Sequence, residues 1–135
     1  MNIKAGTRIP PYEVKSVDPE KMKTMAALLR DPYPIHWDAT GNASMGIEGQ
    51  TVNQGPLNLS YVANMLMNWQ GPDCVRRLTA SFTGWVLNGD TLIANGEVIE
   101  VVNGPTEIVA KCRIWIERDG KEVLHGQAHV ALNQS

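Results

Sequence analysis

The last half of the chain alternates between apolar and polar residues in three long segments. Alternation of this length is typical of antiparallel strands with one buried face. The apolar positions are Leu78, Ala80, Phe82, Gly84 and Val86, then Ile108, Ala110, Cys112, Ile114 and Ile116, and then Leu124, Gly126, Ala128, Val130 and Leu132. Hairpin turn signals occur at Asn88-Gly89-Asp90, Asn103-Gly104-Pro105 and Asp119-Gly120. With the stretch between the first two turns, the pattern predicts four consecutive strands in a meander.

Two earlier stretches have the spacing of amphipathic helices. The longer helix is predicted to begin at Pro56 and to stop at Gly71-Pro72. Its predicted apolar face comprises Leu59, Val62, Ala63, Leu66 and Met67. A shorter helix is predicted from Asp18, a good N-cap, to Leu29, with Met22, Met25, Ala26 and Leu29 on one face. Residues 38–54 are rich in Gly, Asn, Ser and Thr, which predicts a loop.

These elements predict an α+β fold in which a long antiparallel sheet curls around one long helix. Strands longer than the usual five or six residues must twist, and the apolar helix supplies a surface for them to cover. With 135 residues the chain is long enough for one core but short for two. We therefore expect a single domain that spans residues 1–135.

Composition and charge argue against several classes of function. The formal net charge is −2 and the 12 Lys and Arg residues are scattered, so we expect no surface for nucleic acid. No apolar run approaches the roughly 20 residues needed to span a bilayer, and residues 1–6 lack the apolar region of a secretory signal. Cys74 and Cys112 form no CxxC pair and have no histidine at metal-ligand spacing. We expect a reduced, cytoplasmic protein without a metal site.

The run Asp31-Pro32-Tyr33-Pro34-Ile35-His36 places a carboxylate and an imidazole five positions apart. Each proline fixes its own φ and keeps the residue before it extended, so the run predicts a stiff turn. Acid–base chemistry needs two such groups held around one reacting water, and a stiff turn provides that. A structural alternative remains, in which Asp31 only forms an Asx turn before Pro32.

This run resembles the active-site motif of MaoC-like dehydratases and (R)-specific enoyl-CoA hydratases, roughly Gly-Asp-x-Asn-Pro-Leu/Ile/Val-His. The matching positions are Asp31, Pro34, Ile35 and His36. Arg30 and Tyr33 stand where the family has Gly and Asn. The later order of a glycine-initiated helix at Gly55-Pro56 and a strand followed by a Gly-Asp turn at Gly89-Asp90 is also similar to the family. The resemblance covers most of the chain and implies the hot-dog fold.

The resemblance implies an enzyme that interconverts a trans-2-enoyl thioester and a (R)-3-hydroxyacyl thioester. Asp31 and His36 would hold and activate the water. Gly55 begins a helix, so its N–H is free at the positive end of the macrodipole and would polarise the thioester oxygen. The family usually has a His-Gly pair here, whereas this chain has Gln54-Gly55. The alternative for Gly55 is an ordinary turn glycine.

Five further side chains are predicted to contact the substrate, namely Tyr33, Trp37, Asn53, Gln54 and Asn58. For Asn53 helix capping is an equally good account, and Tyr33 and Trp37 could belong only to the loop. His125 and His129 fall on the face of their strand opposite Ala128, where solvent exposure is expected. The expected substrate is an acyl-CoA or an acyl-carrier thioester, and no metal or redox cofactor is required.

The resemblance also implies a homodimer or a heteromer with a related hot-dog chain, because a single hot-dog unit generally has its site at a dimer interface. One alternative function is therefore a subunit of a heteromeric hydratase with little activity alone. Another is a polyketide-type dehydratase or cyclase. Thioesterases of this fold usually carry a carboxylate on the central helix, and residues 57–68 contain no Asp or Glu, which argues against hydrolysis.

Overall fold

A five-stranded antiparallel sheet wraps around one long helix in the computed structural model, which describes residues 2–31, 33–39, 42 and 50–133. The elements are β1 (Arg8–Val14), α1 (Pro19–Leu29), a 3₁₀ turn (Pro34–His36), α2 (Gly55–Gln70), β2 (Val75–Phe82), β3 (Leu92–Asn103), β4 (Ile108–Arg118) and β5 (Lys121–Ala131). All five strands contact α2. Pro32 of the predicted stiff turn, and residues 40, 41 and 43–49 of the predicted loop, lie outside the described residues.

The strand order is β1-β3-β4-β5-β2, with antiparallel pairing throughout. Strands β3, β4 and β5 form a meander as predicted. The prediction that β2 belongs to the same meander was wrong, because β2 pairs with the far side of β5. The edge of β3 that β2 would have used is taken by β1, a strand the alternation does not reveal. Pro10 and Pro11 sit at an irregularity of β1, and prolines are tolerated only at such edge positions.

The turn at Asn88-Gly89-Asp90 forms, but it does not close a hairpin between β2 and β3. The Gly89 N–H donates to the Val17 carbonyl at 2.8 Å, and the Asn88 N–H donates to the Thr51 carbonyl at 3.0 Å. The Asn88 side chain accepts the Thr51 N–H at 2.6 Å in return. This turn therefore ties together the segments that precede α1 and α2, whereas the other two predicted turns close hairpins.

Helix α2 presents a different face to the core from the one predicted. Its buried residues are Leu57, Asn58, Tyr61, Val62, Met65 and Leu66. Only Val62 and Leu66 belong to the predicted face, and the rest of that face is half-buried. Apolar residues occur around most of this helix, so spacing alone could not select the side that the sheet covers.

Helix α1 begins as predicted, because the Asp18 carboxylate accepts the Glu20 N–H at 2.9 Å. The sequence predicted Met22, Met25, Ala26 and Leu29 on one buried face, but most of that face is not buried. Met22 is the one residue of α1 that is buried, and Leu29 is 44% exposed. Helix α1 therefore contributes little to the core and lies on the surface of the domain.

The alternating pattern of β4 and β5 is confirmed. The inward residues Ala110, Cys112, Ile114, Ile116, Leu124, Ala128 and Val130 are buried. His125 is exposed and His129 is half-buried on the opposite face of β5. Phe82, assigned to an inward face by the pattern, ends β2 and is half-exposed.

In the described part of the chain, no helix is long and apolar enough to cross a membrane.

Two glycines of the sheet test how tightly its strands approach one another. A Cβ at Gly126 would overlap the backbone of Thr79 and Ala80, which cannot move without disturbing the β2–β5 pairing. A Cβ at Gly96 would lie 2.6 Å from the Ile9 Cδ1, the mobile end of a side chain.

Overpacking a well-packed site costs about 1–3 kcal/mol. We therefore expect Gly126→Ala to lower the free energy of unfolding by about 3 kcal/mol or more, and Gly96→Ala to lower it by about 1 kcal/mol. Urea unfolding followed by circular dichroism measures both, and equal losses would contradict the close approach at Gly126.

Candidate active site

The imidazole of His36 is held by the extended segment before α2. Its Nδ1 lies 2.7 Å from the Val52 carbonyl oxygen, and the Val52 N–H donates to the Ile35 carbonyl at 2.9 Å. A carbonyl oxygen only accepts hydrogen bonds, so Nδ1 carries the proton in the neutral ring. Nε2 is then the basic nitrogen, and it is the atom that faces Asp31.

The carboxylate of Asp31 is oriented by the end of α1 and by the turn that follows. The Asp31 N–H donates to the Ala26 carbonyl at 3.0 Å, and Asp31 Oδ1 accepts the Tyr33 N–H at 3.1 Å. The second bond is the Asx turn of the structural alternative. Because it occupies only Oδ1, Oδ2 is left to face the His36 Nε2. The structural and the catalytic interpretations of Asp31 are therefore compatible.

The gap between the two groups has the size needed for chemistry with water. Asp31 Oδ2 and His36 Nε2 are 3.8 Å apart, too far for a direct hydrogen bond. One water placed about 2.8 Å from each atom would donate a hydrogen bond to both. The pair can thus orient a water molecule and remove one of its protons.

Arg30 occupies the left-handed position that ends α1. Its φ is 53°, and its N–H donates to the Ala26 and Ala27 carbonyls. Glycine is favoured at such a helix end because it has no Cβ to clash, which explains a glycine at this position of the motif. Among the ion pairs of the described residues, none joins Arg30 to Asp31. Arg30 therefore acts here on the backbone rather than on the carboxylate.

The two aromatic residues of the turn flank the acid–base pair. The Tyr33 ring meets the His36 ring edge to face, with centroids 6.0 Å apart, and is 55% exposed. Trp37, 45% exposed, lines a shallow cavity of about 430 Å³ with Ala26, Ala27, Arg30 and Asp31. The structure brings both aromatics next to the pair, and their contact with a substrate stays a prediction.

Gly55 begins α2, and the phenyl ring of Phe82 covers it. A Cβ at Gly55 would lie 3.1 Å from the Phe82 Cζ, so a larger residue would displace the ring. The Gly55 N–H has no intrahelical acceptor, and no other acceptor is found for it among the described residues. Gly55 is three positions after Val52 in the chain, so its Cα lies within about 11 Å of that of Val52, whose carbonyl holds His36. Sequence patterning placed Phe82 in the core and gave no signal for this contact.

The three amides predicted to contact substrate are buried and bonded within the protein. Asn53 Nδ2 donates to Asn58 Oδ1 at 2.7 Å and to the Tyr61 hydroxyl at 3.2 Å, so Asn53 does not cap the helix. Gln54 Nε2 donates to the Met22 carbonyl at 2.7 Å. Asn53 Oδ1 and Gln54 Oε1 are buried without a hydrogen-bond partner in the described structure. Their role towards a substrate stays a prediction.

The remaining titratable groups of the interior do not add a second reactive centre. Burial raises the pKa of the Cys74 thiol and raises that of Cys112 to about 12, so neither forms a thiolate at neutral pH. Burial also raises the pKa of the Tyr61 hydroxyl, while its bond with Asn53 lowers it by less, so the hydroxyl keeps its proton. The described residues contain no cluster of three or more His, Cys, Asp or Glu that could hold a metal ion.

A cavity of about 540 Å³ lies away from this pair on the outer face of the sheet. It is lined partly by His125, His129, Lys111 and Arg113. Lys111 faces Glu100 at 3.8 Å and Arg113 pairs with Glu122, so these cations already have acidic partners. We assign the candidate site to Asp31 and His36 because proton-handling geometry, rather than cavity size, is what the chemistry requires.

A family model described as a MaoC like domain matches residues 4–115 of the chain. No curated protein sequence gives a match. Among solved structures, R-hydratase PhaJ1 from Pseudomonas aeruginosa is 23% identical with a TM-score of 0.84, over 98% of this chain and 84% of that one. The (R)-hydratase from A. caviae involved in PHA biosynthesis is 22% identical with a TM-score of 0.80, over 98% and 99%.

The ChsH1-ChsH2 complex from Mycobacterium tuberculosis is also similar, with 16% identity and a TM-score of 0.81 over 98% of this chain and all of that one. At such identities the likeness concerns the fold, which is the expected hot-dog arrangement of a long helix wrapped by a curled antiparallel sheet.

The strained backbone of Arg30 leads to a stability prediction. Arg30→Gly should raise the free energy of unfolding by up to about 1 kcal/mol, because glycine removes the Cβ clash of the left-handed conformation. Arg30→Ala is the matched control, since it removes the charge but keeps the Cβ. Thermal and urea unfolding of the two variants measure the difference, and an equal gain in both would show that charge, not strain, is responsible.

Proposed function

Because the chain belongs to the MaoC-like domain family, we propose that it is a hydratase or dehydratase of acyl thioesters. It would interconvert a trans-2-enoyl thioester and a (R)-3-hydroxyacyl thioester. The observation that supports this most directly is the separation of 3.8 Å between Asp31 Oδ2 and His36 Nε2, which accommodates one shared water. The neutral tautomer of His36 and the ionised form of Asp31 both present an acceptor to that water.

In the hydration direction, the oxygen of this water adds to the β-carbon of the enoyl group. One of its protons passes to Asp31 or His36, and a proton is delivered from the pair to the α-carbon, so that H and OH add across the double bond. Dehydration uses the same groups in reverse. The bond from His36 Nδ1 to the Val52 carbonyl persists when Nε2 gains a proton, and it would steady the ring through both steps.

The electrophile in this proposal is the backbone N–H of Gly55. It lies at the N-terminus of a 16-residue helix, where the macrodipole favours negative charge, and it would donate to the thioester oxygen as that oxygen becomes an enolate. Phe82 closes the side of Gly55 on which a side chain would otherwise stand. It would also keep water from the N–H and thereby strengthen the hydrogen bond to the thioester.

The proposal includes a second chain that covers the site. Large apolar side chains are exposed on the elements that carry the site, namely Leu28 and Leu29 of α1, Tyr33 and Trp37 of the turn, and Phe82 beside Gly55. A patch of this kind marks an interaction surface. The partner would be a second copy or a related hot-dog chain, and the similarity to the ChsH1-ChsH2 complex supports the second form. A subunit with little activity alone is therefore the alternative function.

Other features bear on the type of reaction, the location and the acyl carrier, but they do not identify the acyl chain. Helix α2 (Gly55–Gln70) contains no Asp or Glu, which disfavours a thioesterase that uses a helix carboxylate. The two buried cysteines are free, which supports the reducing cytoplasm as its location. The acyl carrier would be coenzyme A or a phosphopantetheine carrier protein, and a polyketide-type dehydratase or cyclase remains the alternative for the acyl chain.

The acid–base assignment is tested by Asp31→Asn and His36→Ala. We expect each to lower turnover of an enoyl thioester by about 10²–10⁴-fold, the usual contribution of positioned acid–base groups. Asn still accepts the Tyr33 N–H through its own Oδ1, so the turn should persist while the carboxylate is lost. Steady-state hydration of crotonyl-CoA and longer enoyl-CoA substrates, with circular dichroism as a folding check, provides the measurement.

His125→Ala and Asp73→Asn serve as matched controls for those variants, because both residues are exposed, His125 on β5 and Asp73 in the turn between α2 and β2. They should retain full activity. Turnover near that of the wild type in both Asp31→Asn and His36→Ala would remove the basis of the proposed function.

The expected association follows from the edges of the sheet. The outermost strands are β1 and β2, and the eight residues of β2 form the edge next to the site. An uncovered edge next to exposed apolar side chains favours pairing with another chain. Light scattering at micromolar concentration should give at least twice the 14.8 kDa of one chain. A fully active monomer would contradict the covered site.

A further inference from the structure

Helix α1 carries Asp31 at its end but is only lightly attached to the rest of the protein. Met22 is its one buried residue, and Leu28 and Leu29 near its C-terminus are exposed. Seven residues of helical rise separate Met22 from Leu29 at the end of α1, about 10 Å at 1.5 Å per residue, and Asp31 follows two positions later. A small rotation of α1 about Met22 would therefore shift the carboxylate by a distance that matters for catalysis.

Residues 51–54 hold this attachment point from two sides. Gln54 Nε2 donates to the Met22 carbonyl oxygen at 2.7 Å, and the Thr51 hydroxyl contacts the Met22 sulfur at 3.2 Å. The Gln54 side chain is 2% exposed, so water does not compete for its hydrogen bond. The bond therefore limits how α1 can turn on the body of the domain.

The same short segment also holds the other half of the acid–base pair. Val52, between Thr51 and Gln54, accepts His36 Nδ1 at 2.7 Å and donates to the Ile35 carbonyl at 2.9 Å. Residues 51–54 therefore position Asp31 indirectly, through α1, and they position His36 directly, through a hydrogen bond. The distance between the two catalytic groups depends on both connections.

The state of the Gln54 amide indicates that stability is not its main contribution. Its Oε1 is buried without a partner, and a buried acceptor left unpaired is destabilising. The Met22 carbonyl, in the first turns of α1, already lies within reach of an intrahelical N–H. An apolar side chain of similar size would remove the unpaired oxygen, yet it could not hold α1 through a directional bond.

We propose that Gln54 is a positioning residue that sets the Asp31 carboxylate relative to His36 by holding α1 at Met22. It acts through the helix rather than through contact with the substrate. This role differs from the substrate contact expected from the sequence, and its catalytic consequence rests on the proposed hydratase function. Its structural consequence, the separation of Asp31 Oδ2 from His36 Nε2, does not.

Gln54→Leu tests the proposal because it removes both the N–H donor and the unpaired oxygen at nearly constant volume. We expect kcat for enoyl-CoA hydration to fall about 10- to 100-fold, in keeping with the sensitivity of catalysis to small displacements, with KM within a few-fold of the wild type. The melting temperature should stay near that of the wild type. Gln54→His, which can still donate an N–H to the Met22 carbonyl, should retain most of the activity.

Gln70→Leu is the matched control. It makes the same chemical change at the opposite end of the same helix, where Gln70 Oε1 accepts the Asn133 N–H at 2.7 Å. It should leave kcat unchanged. If Gln54→Leu does not fold, Gln54→Asn replaces it, since the amide is then one methylene too short to reach Met22. A rise in KM with kcat unchanged would overturn the positioning role. So would a fall in kcat for Gln54→Leu that Gln54→His does not show.

Crystal structures of the wild type and of Gln54→Leu separate this inference from the proposed function. We expect the distance from Asp31 Oδ2 to His36 Nε2 to change, or Asp31 to become less ordered, while the bond from His36 to Val52 persists. An unchanged, well-ordered pair in the variant would overturn the inference. A wild-type protein inactive on every enoyl thioester would instead overturn the proposed function, and the crystallographic comparison would still decide the role of Gln54.

Discussion

The hydrogen bonds made by residues 51–54 hold together every part of the candidate active site. Within this extended segment, the Val52 carbonyl accepts from the His36 ring, and the Gln54 side chain donates to Met22 of α1. The Thr51 N–H donates to the Asn88 side chain, and α2 begins directly after the segment. Of these pieces, α1 lies on the surface and contributes one buried residue, whereas α2 is the central helix that the sheet covers. Because residues 51–54 bond to the His36 ring, to α1 and to the Asn88 turn, they relate the positions of these three parts to one another.

The parts of this arrangement that the sequence predicts are those determined by local chemistry. Asp31 and His36 lie together because prolines and an Asx turn constrain the few residues between them, and such constraints can be read from neighbouring residues. The inward faces of β4 and β5 follow from alternation for the same reason. Asp18 caps its helix through a bond only two residues long.

What the sequence did not predict depends on contacts between distant residues. Strand β2 pairs with β5 and not with β3, because β1 occupies the edge of β3. Strand β1 precedes β2 by more than sixty residues in the chain, so neighbouring residues give no sign of this pairing. The inward face of α2 was decided by where the sheet lies, because the helix is apolar on most sides. The contact of Phe82 with Gly55 and the bond of Gln54 to Met22 join separate elements, and neither leaves a periodic signal. The sequence shows that Arg30 replaces a glycine of the motif, but the left-handed backbone that explains this glycine is seen only in the structure.

The two prolines of β1 make the two edges of the sheet unequal. Pro10 and Pro11 have no N–H to offer a further strand, and the irregularity beside them interrupts the ladder, so β1 resists extension. Strand β2 has no such protection. A sheet that can be extended from one edge only pairs with a second copy about a twofold axis and then has no receptive edge left. If the chain associates through β2 as proposed, self-association through the sheet would end at a closed pair, and the prolines would protect the protein against growth into fibres.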